Sequence, residues 1–571
     1  MGEGNALVPG ITVPKELARE DVMTRKVIAA RLATGGAVAV LLVGVLSACG
    51  SSSTGRSGGN IKILQTTFPD SLDPALGYTV DSWQPVTQVY PGLLVFPHVS
   101  GAAGAKVKPG LAEALPHISA DGKTYQLRLR QNLSFSDGTP IKASDFKHSI
   151  ERVIAADSQG VSLGYTNIVG AEQFGKTKKG GISGIVVNDA TRDITIHLVK
   201  PRGSFTYELA IPFAGVVPAS TPSTNQTQHP PPGAGRYVIK NVQQGRSYSL
   251  VKNRHFSPSL KGTAVDVGKV SGIDVKIVSN ISAQVTQIAN NQADFMIDNP
   301  TADRAGEVRS KYTGKRYREF PTTSTYYFFM NTEAPPFDKL AVRQAVNWAL
   351  DFDAINRTQA GFLARAHGIL PQQIPGYESS PDLYPGPNLQ KARQLIAQAG
   401  AKGAAVTVWS DNQDPTPQTM AYYTDLLNKI GLKAKLKTIA AETYFPTIGD
   451  RSLKAQTGWS NWTEDYPHPA DFIDVLLNPD NVVAINNNNF SYNASDRGFA
   501  NRINAVAAKP LTAQTEKEWA ALDRYAQQQA YWGIYGTRKQ STFFSDRMDF
   551  QNCKGDDWPL ATHDWGRFCL K

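Results

Sequence analysis

The sequence predicts an α/β protein of two or three domains. Three observations carry that prediction. The chain has 571 residues, more than one hydrophobic core organises. Short alternating strands dominate the first part after residue 60, and helices and strands alternate in the second half, which implies an α/β layer there. The composition, 41% hydrophobic and 19% charged, is that of a folded chain.

The elements follow in order. "IKILQTTFPDSLDPAL" opens with a short alternating strand and runs into a Pro-broken loop. In "KTYQLRLRQNLSFSDGTPI", Tyr125, Leu127 and Leu129 share one strand face and Gln126, Arg128 and Arg130 the other; Asp137-Gly138 then marks a turn. "ASDFKHSIERVIAA" reads as a helix with Ser144 as its N-cap. "ISGIVVNDATRDITIHLVKP" reads as strand, turn, strand. A Pro-rich loop feeds the strand in "GRYVI", and "ISAQVTQIANNQADFMID" reads as a helix followed by a short strand. The clearest helix is in "PPFDKLAVRQAVNWALDFDAINR": Val342, Ala345, Val346, Ala349 and Leu350 fall at helical spacing, with Asp338 to cap it. "NLQKARQLIAQAG" is a second helix, closed by Gly400. "AVTVWS" and "KAKLKTI" are strands flanking the helix in "QTMAYYTDLLNKIG". No internal repeat is visible.

The charge balance is +10, from 59 basic and 49 acidic residues. The basic residues are dispersed, and their densest groups, Lys176-Lys178-Lys179 and Lys315-Arg316-Arg318, are short. No groove-reading motif accompanies them, so nucleic acid is not an expected partner. No catalytic constellation assembles either. H-E-x-x-H, G-x-S-x-G and the S-x-x-K/K-T-G pair are missing, and "GTAVDVGKV" has neither the spacing nor the Ser/Thr of a phosphate loop. The 9 histidines are scattered, and His468 with Asp471 does not make a metal site. The expectation is a protein that is not an enzyme and carries no cofactor and no metal.

The chain has 3 cysteines. Cys49 ends a segment that begins with Arg25, Lys26 and Arg31, continues through the mostly apolar stretch from Leu32 to Leu46, and closes on Ser47-Ala48. That is the order of a secretory signal, with a run shorter than the ~20 residues of a spanning helix. It resembles the lipobox of bacterial lipoproteins, which implies a diacylglycerol on Cys49 and cleavage before it. Residues 1–48 are then a signal peptide, with Met23 as an alternative start. Residues 49–60 are the lipidated cysteine and a flexible Gly/Ser linker. Export places Cys553 and Cys569 in an oxidising compartment. They are expected to form a disulfide worth roughly 3 kcal/mol, the alternative being two free thiols.

Beyond the signal, "LRQNLSFSDGTPIKASDF" carries the pattern Leu-x-x-x-Leu-x-Phe-x-Asp-Gly-x-Pro-x-x-Ala-x-Asp-Phe. "GAGRYVI", "SLVKNRHF", "QIANNQADFMID", "NTEAPPFDKLAVRQAVNWALDFDAI" and "WTEDYPHPADFI" follow in order. Together they resemble the family 5 solute-binding proteins of ABC importers, over most of the chain from Leu129 to Ile473. The resemblance implies a periplasmic-binding-protein-like (type II) clam-shell with an additional inserted domain and mixed sheets flanked by helices. Domain I is expected from 61–92, 212–323 and 536–571, domain II from 93–211 and domain III from 324–535. The crossing segments "STYYFFMNT" and "YWGIYGTRKQ" are the expected hinge.

The same resemblance implies the function. Such a protein captures oligopeptides or dipeptides between its lobes and delivers them to an ABC permease driven by its ATPase subunits. It works as a monomer, lipid-anchored on the outer face of the cell membrane. By position in the Trp-x-x-Asp-Tyr motif, Asp465 is the carboxylate that holds a peptide α-ammonium, a group that is costly to bury without an ionised partner. Trp459, Trp462 and Tyr466 surround it as possible cleft walls or as plain core, and Tyr78 falls where the first cleft-facing loop lies. One departure stands out. Thr457 to Asn461 holds no arginine, which some oligopeptide binders place there for the peptide carboxylate. The alternatives are a non-peptide solute of the same class (metal chelate, sugar, haem or opine) or a surface lipoprotein enzyme.

Overall fold

The computed structural model describes residues 58–99, 101–265, 268–379, 382–549, 551–553 and 563–571. Cys49, and with it the signal and lipidation reading, lies outside the described residues. A single mixed sheet of 12 strands forms the backbone of the described chain. From one edge its order is Lys433–Ile439, Ala405–Asp411, Thr457–Thr463, Ser324–Met330, Trp532–Phe544, Phe295–Met296, Asn60–Gln65, Gly272–Ile277, Ser247–Lys252 and Tyr237–Gln243. Tyr317–Pro321 and Leu363–Ala364 also pair with Trp532–Phe544.

That order makes the molecule two-lobed. Asn60–Gln65 pairs in parallel with Gly272–Ile277, more than two hundred residues away, and anchors the first lobe. Ser324–Met330 pairs antiparallel with Thr457–Thr463 and anchors the second. The chain enters the second lobe between Tyr317–Pro321 and Ser324–Met330 and returns along Trp532–Phe544, whose first half pairs with Ser324–Met330 and whose second half pairs with Tyr317–Pro321. The register slips between Tyr326 and Tyr327, opposite Gly536. A β-bulge of this kind bends and twists a strand locally.

A separate four-stranded antiparallel sheet sits on the first lobe: His117–Ile118, Thr124–Arg128, Asp193–His197 and Ile185–Asn188. Its alternation is the one read from sequence. Tyr125, Leu127, Ile194 and Ile196 are buried against Phe146, Ile150 and Val153 of the helix Ala143–Ala155. Two caps differ from expectation. Lys142 is the N-cap of that helix, and its backbone N–H donates to Asp145 at 2.7 Å. Ser144 lies inside the first turn, and its hydroxyl donates to Asp189 at 2.9 Å, so a tertiary partner outcompetes the local one. The helix Leu340–Ala349 starts after Lys339, with no side-chain cap, because Asp338 falls one residue too early. Gly400 ends the helix Leu389–Gln398 as expected, at φ +63°.

At the C-terminus, Cys553 and Cys569 are joined by a disulfide with Cα atoms 5.4 Å apart. Trp565 and Phe568 fill the first lobe's core beside Ile61, Ile63 and Phe295. Asp564 is buried there and accepts from His98 at 2.7 Å and from Arg236 at 3.3 Å. Among the described residues no helix is long and apolar enough to cross a membrane.

Candidate functional site

The site is built on the loop that leaves the strand Thr457–Thr463. The Asp471 Oδ2 accepts the Asp465 backbone N–H at 2.8 Å and the Trp462 indole N–H at 3.3 Å. One buried carboxylate therefore fixes both the turn and the indole. His468 caps the following 3₁₀ turn, its Nδ1 accepting the Ala470 N–H at 3.1 Å. A ring nitrogen that accepts is unprotonated, and burial together with the Arg202 charge holds the His468 pKa down at about 3.

Asp465 is buried at this turn. Tyr78, 387 residues away in sequence, donates its hydroxyl to the Asp465 Oδ2 at 3.0 Å. Tyr78 is itself held firmly: its backbone N–H donates to Asp70 at 3.0 Å, and its ring packs 6.1 Å from Trp83 and 5.8 Å from Phe213. No basic side chain pairs with Asp465 among the described residues. Burial, partly offset by the Tyr78 bond, pushes its pKa up to about 7. Asp471 is pushed well above the usual carboxylate range by burial and by the Asp465 charge. Burial and the charges of the same two carboxylates push the Tyr78 phenol up as well.

The loop joins the two lobes. The Tyr466 ring is fully buried in the hydrophobic cluster of the first lobe, and His468 meets Tyr207 edge-on at 5.1 Å. Nearby, Arg202 of the first lobe donates to Glu208 at 2.6 Å and lies 3.8 Å from Asp474 of the second. The Gly203 N–H donates to the Ala507 carbonyl at 2.8 Å across the same boundary. A Cβ on Gly203 would sit 1.7 Å from the Lys509 carbonyl oxygen, so only glycine permits this approach.

Between these contacts lies a cavity of about 570 Å³, lined by Tyr78, Lys200 and Arg202 from the first lobe and by Trp462, Asp474 and Asn488 from the second, among others. A second cavity, of about 370 Å³, is confined to second-lobe residues around the His367–Asp382 pair.

The structure thus brings Tyr78, Asp465 and Trp462 together. Trp459 stands three residues before Trp462 on one strand, so period-two alternation sends it to the other face of the sheet. There it stacks on Tyr444 at 5.6 Å, 12° from parallel. Sequence reasoning missed the positioning role of Asp471, the cavity wall at Lys200–Arg202, and the asparagines that face it. The run Asn486–Asn489 was a visible signal; nothing local marks Lys200. Among the described residues, the one group of three possible metal ligands is Asp549, Cys553 and Cys569, and its two sulfurs are bonded to each other.

The profile of the bacterial extracellular solute-binding proteins, family 5 (middle), matches residues 106–483. A probable D,D-dipeptide-binding periplasmic protein of Escherichia coli (strain K12) is 24% identical over 437 residues, covering 75% of this chain and 79% of its own. A glutathione-binding protein of Salmonella typhi is 27% identical over 367 residues, covering 62% and 67%. Among solved structures, a clavulanic acid biosynthesis oligopeptide binding protein superposes with a TM-score of 0.80 at 21% identity, covering 90% of this chain and 96% of that one. A periplasmic binding protein from Helicobacter pylori in complex with the peptide STSA gives 0.71 at 18% identity, covering 90% and 98%. These likenesses agree with the type II, two-lobed arrangement of the sheet.

Proposed function

Because this chain belongs to family 5 of the bacterial extracellular solute-binding proteins, a family of binding proteins and not of enzymes, we propose that its solute is a short peptide with a free N-terminus. The observation that carries the reading is Asp465, a buried carboxylate with no cationic partner among the described residues, bonded by Tyr78 and set beside the interlobe cavity. A buried carboxylate is costly unless paired and hydrogen-bonded. An arriving α-ammonium supplies the missing charge, and Tyr78 keeps the carboxylate oriented. Trp462, fixed by Asp471, offers an aromatic wall that accepts varied side chains by dispersion. The likeness to a D,D-dipeptide binder and a glutathione binder supports a peptide-like solute.

Ligand bridges the lobes, and the closed form is what an ABC permease and its ATPase subunits receive. The protein acts as a monomer, held on the outer face of the membrane by lipid on Cys49, with the Gly50–Ser57 stretch as tether, since Gly58 to Asn60 are bonded to the folded body.

A thermal-shift screen against pooled short peptides tests the reading. Ligand at ~100 times its Kd adds about 2.7 kcal/mol to the folded state. Stabilisation by free-amine peptides and not by their N-acetylated forms is expected. Stabilisation by neither pool, or equally by both, removes the ammonium grip.

A further inference from the structure

Cations that are far apart in sequence meet on the outer face of the first lobe's sheet. Strand register sets Lys62 opposite Asp274, Asp274 opposite Ser249 and Ser249 opposite Lys240, so these four side chains share one face across four strands. Lys276, two residues beyond Asp274, points the same way. Arg246, in the turn before Ser247–Lys252, joins Lys62, Asp274 and Lys276 along a groove of about 680 Å³ bordered by Gln287 and Gln292. Lys62, Lys240, Arg246, Asp274 and Lys276 are all exposed. None of the four cations forms an ion pair among the described residues. The buried Asp294, which accepts the Lys62 backbone N–H at 2.9 Å, is committed to Arg547 at 3.1 Å. Four cations therefore share this face with one carboxylate, on a patch about 15 Å wide, three strand spacings.

An antiparallel sheet can leave one face to water. This sheet leaves that face positive and places it at the tether. Asn60 begins the strand that carries Lys62, and the Gly58 N–H is bonded to the Lys269 carbonyl at 2.9 Å. The eight residues Gly50–Ser57 span at most about 30 Å when fully extended, so an acyl group on Cys49 keeps the face within reach of the bilayer surface. We propose that this face docks on the anionic phospholipid headgroups of the membrane that holds the anchor. The proposal rests on the anchor reading above. Within a Debye length, about 10 Å at 0.1 M salt, each Lys or Arg is drawn to an anionic surface, and all four donate hydrogen bonds that phosphate oxygens accept. Every residue of the groove belongs to the first lobe, so docking leaves the strand Trp532–Phe544 and the second lobe free to move.

Co-sedimentation of the mature chain carrying Cys49→Ser, which removes any acyl contribution, tests the proposal. The vesicles are phosphatidylcholine alone and equal parts phosphatidylcholine and phosphatidylglycerol. At low salt the protein is expected to partition at least tenfold more strongly onto the anionic vesicles, and to lose most of that preference at high salt. The variant Lys62→Gln, Lys240→Gln, Arg246→Gln, Lys276→Gln is expected to weaken anionic partitioning at least fivefold. A control with Lys176→Gln, Lys179→Gln, Lys402→Gln and Lys517→Gln removes the same charge elsewhere and is expected to change it less than twofold. Both variants alter exposed side chains alone. Equal binding to the two kinds of vesicle overturns the proposal. So does an equal loss in the two variants, which assigns the attraction to net charge and not to this face. Mass analysis of protein extracted from membranes reads the acyl group on Cys49 separately, so failure of the anchor and failure of the docking face are told apart.

Discussion

Replacing Asp465 by asparagine sets two effects of opposite sign against each other. In the ligand-free protein, burial holds the Asp465 pKa at about 7 against an ordinary 3.8. Above neutral pH the folded state therefore carries an ionised carboxylate it disfavours, by up to about 3 units at 1.36 kcal/mol each, on the order of 4 kcal/mol. Asparagine has the same shape and no charge, and it still accepts from Tyr78. About 1–4 kcal/mol of that penalty should disappear. Roughly 500 folded residues at about 2.1 cal/mol/K each give an unfolding entropy near 1 kcal/mol/K, so the ligand-free Tm at pH 8 should rise by about 1–4 °C. In the complex the sign reverses. An α-ammonium facing a neutral amide has lost its counter-charge, and affinity should fall at least tenfold, ~1.4 kcal/mol, with about 3–5 kcal/mol as the limit for a fully buried pair. Differential scanning calorimetry reads the first effect and isothermal titration the second. A variant that is less stable and binds unchanged refutes the reasoning, because Asp465 would then be a structural turn residue.

Three further outcomes follow from the same geometry. A group whose folded pKa is raised binds more protons folded than unfolded between pH 3.8 and about 7, so the Asp465 contribution makes the ligand-free protein lose stability as pH rises through that window. Peptide binding, which needs the ionised form, should release a proton at pH 6 and weaken there relative to pH 7.5, as titrations in buffers of different ionisation enthalpy would show; binding without proton release speaks against it. Gly203→Ala would set a Cβ 1.7 Å from the Lys509 carbonyl oxygen, so the contact between the lobes must give way, and the variant should lose about 1–3 kcal/mol, read by calorimetry as a Tm lowered by about 1–3 °C. An unchanged Tm shows that the Gly203–Ala507 contact is dispensable. Cys553→Ser with Cys569→Ser should destabilise by roughly 3 kcal/mol and expose the amides around Trp565 and Phe568 to hydrogen exchange first; unchanged protection there counts against the disulfide as the staple of that segment.

Local periodicity was readable and long-range pairing was not. The alternation at Tyr125, Leu127 and Leu129 and the helical spacing from Val342 to Ala349 depend on neighbours a few residues away, and both appear where expected. The caps at Ser144 and Asp338 did not, because Asp189 and the preceding turn decide them and neither is visible in a local window. The parallel pairing of Asn60–Gln65 with Gly272–Ile277 leaves no local trace at all. At the site, the family resemblance singled out Asp465, Trp462, Trp459 and Tyr466 by motif position and Tyr78 by its loop. What it could not supply was the Tyr78–Asp465 bond across the lobes or the face on which Trp459 lies, since each depends on how distant segments meet.

The strand Trp532–Phe544 serves both lobes, and this bears on any attempt to dissect the molecule. Excising the second lobe would strip Ser324–Met330 or Tyr317–Pro321 of its partner, whichever piece kept the strand. The abandoned row of N–H and C=O groups, flanked by Tyr327, Phe328 and Phe329 in one case, would be an open template for pairing with other chains. Isolated lobes should aggregate, and the intact chain should melt as one cooperative unit. The strand that the two lobes share should thus keep either from existing alone.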